Sequence, residues 1–133
     1  KDGIWNSGDW IFGTWEKGIW RSGTFHNGLW KSGLWKSGDW LNGEWESGDW
    51  LSGNWGNGVW RSGTWHDGTW DFGFWESGTW KSGVWKSGIW KGGTWESGTW
   101  LDGYWGGGKW FGGYDDKGNY HTEDDSPDKW DLK

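Results

Sequence analysis

Residues 81–98 read KSGVWKSGIWKGGTWESG, with a tryptophan at every fifth position and a glycine two places before each tryptophan. The glycine recurs every fifth residue from Gly3 to Gly118, and the tryptophan recurs from Trp5 to Trp110 with one replacement, Phe25. The unit G-x-W-x-x is therefore present 22 times without a slip in register. Such regular repetition predicts a fold built by stacking copies of one small element.

A period of five residues fits neither an α-helix nor a continuous strand. On a helix, five residues advance about 140° beyond a full turn, so the tryptophans would spiral around the axis. Along a strand, side chains alternate with a period of two, so successive tryptophans would point to opposite faces. The chain must bend once per repeat, and stacked bends of this kind form a parallel β-solenoid.

Within each unit, the spacing predicts that glycine and tryptophan both face inward and that glycine leaves room for the indole ring. The position after tryptophan is mostly charged, and the fifth position is mostly Ser, Asn, Asp or Gly, which favour turns. A tryptophan buries about 150–250 Å², so few apolar residues suffice for a core. The predicted core residues are Trp5, Trp10, Trp15, Trp20, Phe25, Trp30, Trp35, Trp40, Trp45, Trp50, Trp55, Trp60, Trp65, Trp70, Trp75, Trp80, Trp85, Trp90, Trp95, Trp100, Trp105 and Trp110.

The unit Gly83-Val84-Trp85-Lys86-Ser87 resembles those of the pentapeptide-repeat proteins, with Gly for the usual Ala and Trp for the usual Leu or Phe. The resemblance covers residues 3–113. It implies a right-handed, four-sided solenoid with about 20 residues per coil. It also implies, for some members, a role as a DNA mimic that binds topoisomerases.

Internal similarity leaves a second coil size open. Residues 29–58 align with 79–108 at an offset of 50, whereas residues 19–28 align with 59–68 at an offset of 40. A ten-residue block, TWDFGFWESG, therefore looks inserted, which favours a two-sided coil of two units as the alternative to four sides. We favour four sides, because four corners would spread the crowding of the indole rings.

The apolar residues that follow a tryptophan form a predicted interaction face. They all fall on even-numbered units, so a two-sided coil would place them on one face and a four-sided coil on two opposite faces. The members are Ile11, Leu41, Leu51, Leu101 and Phe111.

Charge and composition exclude several classes of protein. The net charge is −6, and residues 1–113 hold 12 acidic and 10 basic side chains, so no basic stripe is available for nucleic acid. The chain has no cysteine, and no segment approaches the roughly 20 apolar residues of a membrane span. Because the chain also lacks methionine, the sequence predicts a piece of a longer protein.

Residues 114–133 lose the repeat and are acidic, so we divide the chain into a solenoid, 1–113, and a C-terminal cap or disordered tail, 114–133. The segment YDDKGNY predicts a hairpin, and Ser126-Pro127 predicts the start of a short helical turn. An open coil needs covering, so Tyr114, Tyr120 and Trp130 are the predicted cap residues.

Candidate chemical sites are few, and for each we favour the structural interpretation. In a four-sided coil, His26 and His66 would flank Glu46 as a possible metal site, although duplication explains the two histidines equally. Glu44 and Glu46 would share a solvated face. The acidic tail could bind calcium weakly through His121, Asp115, Asp116, Glu123, Asp124 and Asp125, but it lacks the spacing of a calcium loop.

No nucleophile–base set, phosphate loop or dinucleotide motif is present, so we predict no catalytic residues, no metal and no cofactor. The sequence favours a structural rod that assembles end to end or forms a segment of an extracellular filament, appendage or virion fibre. Its expected partner is another copy of the chain or an unidentified protein. A module that binds protein or glycan through the outward columns is the alternative, and the topoisomerase-binding DNA mimic is the weaker one.

Overall fold

The structure is a computed structural model of the 133-residue chain, and it describes residues 3–130. The predicted all-β parallel solenoid is confirmed. Each repeat forms one strand of two residues, and the bend lies at the fifth position and the glycine. The strands β1–β22 stack into three parallel sheets, which form the three walls of a triangular coil of about seven turns.

The three walls take every third strand in turn. Wall A contains β1 Ile4–Trp5, β4 Ile19–Trp20, β7 Leu34–Trp35, β10 Asp49–Trp50, β13 Thr64–Trp65, β16 Thr79–Trp80, β19 Thr94–Trp95 and β22 Lys109–Trp110. Wall B contains β2 Asp9–Trp10, β5 Thr24–Phe25, β8 Asp39–Trp40, β11 Asn54–Trp55, β14 Thr69–Trp70, β17 Val84–Trp85, β20 Thr99–Trp100, β23 Gly113–Tyr114 and β24 Tyr120–His121. Wall C contains β3 Thr14–Trp15, β6 Leu29–Trp30, β9 Glu44–Trp45, β12 Val59–Trp60, β15 Phe74–Trp75, β18 Ile89–Trp90 and β21 Tyr104–Trp105.

The coil has three sides and three repeat units, rather than the four that we expected or the alternative of two. Trp80 is in register with Trp95, three units ahead, and the same offset recurs in the other ladders of β1–β22. The reason lies in the cross-section. Consecutive rings such as Trp80 and Trp85 meet edge to face, at 5.8 Å and 73°, so three indoles fill the triangle. Because each unit has only one inward side chain, a fourth wall would open a void along the axis.

Two backbone hydrogen bonds join each strand to the strand one coil below. In β19, the Thr94 N–H donates to the Gly78 carbonyl at 2.9 Å, and the Glu96 N–H donates to the Trp80 carbonyl at 2.7 Å. The same pair of bonds repeats along all three walls. The ladder therefore satisfies the backbone on both sides of each tryptophan, and it fixes the three-unit register.

The tryptophans of each wall form a continuous column of stacked rings. Neighbouring indoles such as Trp80 and Trp95 lie 4.8 Å apart between centroids and only 6° from parallel. The rings from Trp20 to Trp95, Phe25 included, have no exposed surface, whereas Trp5 and Trp10 in the first coil are partly exposed. Phe25 takes its place in the column of wall B, with its centroid 4.1 Å from that of Trp40. Burial and stacking of aromatic rings thus supply the core.

Few indole N–H groups find an acceptor inside this core. Trp75 donates to the carbonyl of Gly92 at 3.1 Å, and Trp40, Trp90 and Trp95 make the equivalent bond 17 residues ahead. In the described part of the chain, 14 other indole N–H groups are buried without a partner. Because burying an N–H group without an acceptor destabilises the fold, the burial and stacking of the rings must outweigh that cost.

Glycine is needed chiefly for the backbone. It also leaves room for the indole ring at some repeats, as we expected, since a Cβ added at Gly103 would lie 3.1 Å from the Trp85 Nε1 atom. At Gly93 the backbone has φ +108°, a conformation that other residues rarely adopt. A Cβ added there would also lie inside van der Waals contact of the Gly78 carbonyl oxygen, one coil below. That carbonyl already accepts the Thr94 N–H, so it cannot move away without breaking the ladder.

In about half of the units, the side chain at the fifth position holds the bend through a hydrogen bond. The Ser97 hydroxyl donates to the Lys81 carbonyl of the preceding coil at 2.7 Å, and five other serines make the equivalent bond. The Asp102 carboxylate accepts the N–H of the following Gly103 at 2.8 Å, as Asn27, Asn42, Asn57 and Asp67 do at their own glycines. The preference for Ser, Asn and Asp therefore reflects two distinct hydrogen bonds.

Two adjacent glycines give a matched test of this account. We expect Gly93→Ala to lower the free energy of unfolding by about 3 kcal/mol, because of its backbone conformation and the collision with Gly78. Gly92→Ala should change it by less than about 0.5 kcal/mol, since its φ is not positive and an added Cβ meets only the Glu76 oxygen at 3.7 Å. Chemical denaturation followed by circular dichroism measures both, and equal losses would contradict the account.

Candidate functional site

The last coil is covered by a hairpin that extends wall B. Strand β24 pairs antiparallel with β23, with Tyr114 opposite Tyr120. In the turn between them, the Asp115 carboxylate accepts the N–H groups of Lys117 and Asn119 at 2.8 and 2.9 Å. This is the hairpin predicted from YDDKGNY. The rings of Tyr114 and Tyr120 pack edge to face at 5.1 Å, but both are about half exposed and lie outside the core.

A short 3-10 helix, η1 Pro127–Lys129, follows the hairpin and packs on β21 of wall C. It begins after Ser126, as the Ser-Pro pair predicts, and the Ser126 hydroxyl bonds the Asp128 carboxylate rather than the backbone. The turn delivers Trp130 edge to face onto Trp110, at 5.5 Å, while the Trp130 N–H donates to the Asp125 carbonyl at 2.8 Å. We call residues 113–130 the cap, because they cover the open edge of walls B and C.

His121 links the two parts of the cap. Its Nδ1 lies 2.8 Å from an oxygen of Asp125, and its Nε2 lies 2.9 Å from an oxygen of Asp115. The imidazole ring also stacks on Trp130, at 3.9 Å and 18°. Both ring nitrogens face carboxylates that only accept, so the doubly protonated imidazolium fits this arrangement best. The hairpin, the segment before η1 and Trp130 thus meet at one side chain.

The electrostatics of the cap follow from this arrangement. Burial lowers the pKa of His121, but the hydrogen bonds and charges of Asp115 and Asp125 outweigh it, so the pKa is raised above 6.5. The hydrogen bond from His121 lowers the pKa of Asp115 to about 2. Nearby, Lys109 lies 3.5 Å from both Glu123 and Asp124, and chiefly the charge of Asp124 raises its pKa.

An open groove of about 540 Å³ lies between the cap and wall B. Polar residues of the hairpin form one side of it, and Leu101, Asp102 and Trp130 form much of the rest. The carboxylates of Asp115, which lines the groove, and of Asp125 are already bonded to His121. Among residues 3–130, no group of three or more His, Cys, Asp or Glu side chains is arranged to hold a metal ion.

The structure separates the residues of the other candidate metal site. With three units per coil, His26 follows a strand of wall B, Glu46 a strand of wall C and His66 a strand of wall A. His26 instead lies 3.7 Å from Asp9, and His66 lies 4.0 Å from Asp49. The expected column of His, Glu and His depended on a four-sided coil, so it is wrong. Glu44 and Glu46 do share wall C, where Glu44 lies 3.6 Å from Arg61.

The predicted interaction face is also divided between walls. Ile11, Leu41 and Leu101 follow strands of wall B, whereas Leu51 and Phe111 follow strands of wall A. Four of the five are exposed and Leu51 is half-buried. All five fall on even-numbered units, but this does not place them on a common wall, because one turn of the three-sided coil advances three units. They form no single column.

The structure reveals instead an apolar column on wall C that sequence reasoning missed. It consists of the residues before tryptophan in four successive coils, Val59, Phe74, Ile89 and Tyr104. With Phe72 at the neighbouring corner, Val59, Phe74 and Ile89 line a shallow hollow of about 280 Å³. Reading every third repeat of the sequence would have found the column, since its members lie three units apart.

Comparison with family models, with curated proteins and with solved structures finds no match for this chain. What the structure shows is a repeat β-solenoid with a five-residue period. In residues 3–130, no helix is long and apolar enough to cross a membrane.

The bonds of His121 predict a cap that depends on pH. A raised histidine pKa stabilises the cap fully below 6.5, and this contribution is lost as pH rises through the folded value. The lowered pKa of Asp115 stabilises the cap above 3.8, and this contribution is lost as pH falls towards about 2. We therefore expect the protection factor of the Asp124 N–H, which donates to the Trp110 carbonyl, to be largest between those limits when hydrogen exchange is corrected for its intrinsic pH dependence.

The variant Asp115→Asn tests which bond is responsible. Its amide oxygen can still accept the turn N–H groups, so the hairpin should remain, but the pKa of His121 should fall. Proton NMR titration of the imidazole measures the change, and Asp116→Asn, at the exposed neighbouring position, is the matched control. An unchanged His121 midpoint in Asp115→Asn would contradict the assignment.

Proposed function

We propose that this protein is a non-enzymatic structural element, a rigid β-solenoid that forms a segment of an extracellular filament, appendage or virion fibre. The observation that carries the proposal is the unbroken stacking of aromatic rings along all three walls. Centroid distances stay between 4.6 and 5.1 Å from Trp35 to Trp110 on wall A. A core of this kind resists both bending and axial shear, because any relative movement of two coils separates rings on every wall.

The length of the solenoid and the position of the cap bear on how copies of the chain could associate. Wall A extends over eight strands, which at about 4.8 Å per coil gives a length of roughly 34 Å. The cap covers the last coil on two walls, so end-to-end stacking of coils is not available there. The cap therefore favours lateral association of the solenoid over end-to-end stacking at that end.

The resemblance to pentapeptide-repeat proteins gives limited further support. The five-residue unit and the parallel solenoid agree with it, whereas a three-sided coil departs from the four-sided coil that it implies. A DNA mimic also needs an acidic surface, and the outward charges of wall C alternate in sign. We infer a structural role from the stacked core and not from the resemblance.

A binding module is the second candidate, and one observation favours it. Ile89, Tyr104 and Phe72 on wall C are 43, 65 and 54% exposed, an uncommon density of apolar surface for a small protein. A partner protein seated on that wall would cover them.

Electron microscopy and light scattering of the purified chain test the structural role. We expect laterally associated particles or bundles, and an average mass that rises with protein concentration. Trp70→Ala should abolish them, because a cavity in a central coil costs about 4 kcal/mol, whereas Lys81→Ala on the surface should not. Particles that stay monomeric at the highest attainable concentration would refute the proposal.

A further inference from the structure

Wall C carries two outward columns with different chemistry. The residues before tryptophan form the apolar column, Val59, Phe74, Ile89 and Tyr104. The residues after tryptophan form a column whose charge changes sign at every coil, namely Glu16, Lys31, Glu46, Arg61, Glu76 and Lys91. The two columns are in contact, since the Lys91 ammonium lies 5.7 Å from the centre of the Phe74 ring.

The other walls do not combine these features. In the same four coils, the outward column of wall A before tryptophan is Asp49, Thr64, Thr79 and Thr94, and that of wall B is Asn54, Thr69, Val84 and Thr99. Their columns after tryptophan show no regular alternation of sign. Wall C is thus the one wall of β1–β22 on which an apolar strip of four coils runs beside alternating charges.

When two copies overlap the full width of their C walls face to face, a two-fold axis relates them in one of two ways. If the axis runs along the solenoid, the copies are parallel, and the apolar column of each meets the charged column of the other. If the axis lies in the plane of wall C at right angles to the solenoid, the copies are antiparallel, and each column faces the same column of the other copy. Antiparallel pairing therefore buries apolar residues against apolar residues, whereas parallel pairing would bury charges against them.

The alternating charges then select the register. With the two-fold axis between the coils of Glu76 and Lys91, each of these two charges meets its opposite, and Arg61, which lies 3.3 Å from Glu76 of its own chain, faces an uncharged glycine. With the axis on a coil, each charge meets its own sign. The centre of the exposed apolar strip lies between the coils of Phe74 and Ile89. A two-fold axis at this position sets Phe74 opposite the partner's Ile89, Val59 opposite the partner's Tyr104, and Glu76 opposite the partner's Lys91.

We propose that wall C is a self-complementary interface, which binds a second copy of this chain antiparallel in that register. This inference deepens the proposed function and rests on it, because it names the lateral contact through which capped segments would associate. The strip spans only about 14 Å along the axis, so a single pair of chains binds weakly. Several segments joined in series would add their contacts.

Charge exchange is the direct test, with sedimentation equilibrium as the measurement. Glu76→Lys or Lys91→Glu alone should raise the dimer dissociation constant about tenfold or more, because the two-fold axis doubles each repulsive pair. The double variant should return it to within about threefold of the parent value. Glu96→Lys, the same change on wall A, is the control. A double variant as weak as the single variants would overturn the register.

Distance measurement between nitroxide labels tests the orientation, and the absence of cysteine makes labelling specific. Antiparallel pairing places the labels of Ser87→Cys within about 5 Å along the axis, and those of Asn27→Cys about 34 Å apart. Equal separations at the two positions would show parallel pairing and refute the proposal. Lateral assemblies that persist unchanged in Glu76→Lys would also refute this interface, yet leave the structural role intact.

Discussion

The rise of a parallel β-ladder falls within the range of centroid distances, about 4.5–7 Å, that aromatic pairs prefer, and the whole architecture depends on that match. Ring centroids on each wall lie about 4.8 Å apart, which is the rise that the backbone hydrogen bonds impose. Neither the rings nor the ladder must distort to satisfy the other. The strands can therefore be as short as two residues, because the core continues without interruption from coil to coil.

Much of the fold can be derived from the sequence, since the period of five excludes helix and continuous strand and places a tryptophan inward in every unit. The number of walls cannot be derived in this way. All units are alike inside, so nothing in the spacing distinguishes a coil of two, three or four units. The choice depends on how rings such as Trp80 and Trp85 meet across the interior, and edge-to-face packing at about 70° closes a triangle.

Surface features that depend on local sequence were predicted correctly, whereas those that depend on the number of units per coil were not. The hairpin and the Ser-Pro turn depend on local chemistry, and both occur where the sequence places them. The pairing of His121 with Asp115 and Asp125 depends on how the hairpin and η1 meet, which no local pattern specifies. Every inference about columns required the coil size. Because we expected four units per coil rather than three, we misplaced Leu51 relative to Leu41 and missed the strip that contains Phe74 and Ile89.

A three-unit coil made of identical five-residue units gives this chain two distinct rules for evolutionary change in length. Any insertion or deletion of whole units preserves the interior, because the next unit supplies the same glycine and the same indole. Only a multiple of three units preserves the exterior. The internal duplications, at offsets of 40 and 50, obey the first rule but not the second, so each copied block was carried to a different wall. Gene duplication in this lineage could thus lengthen the protein safely while reshuffling its surface.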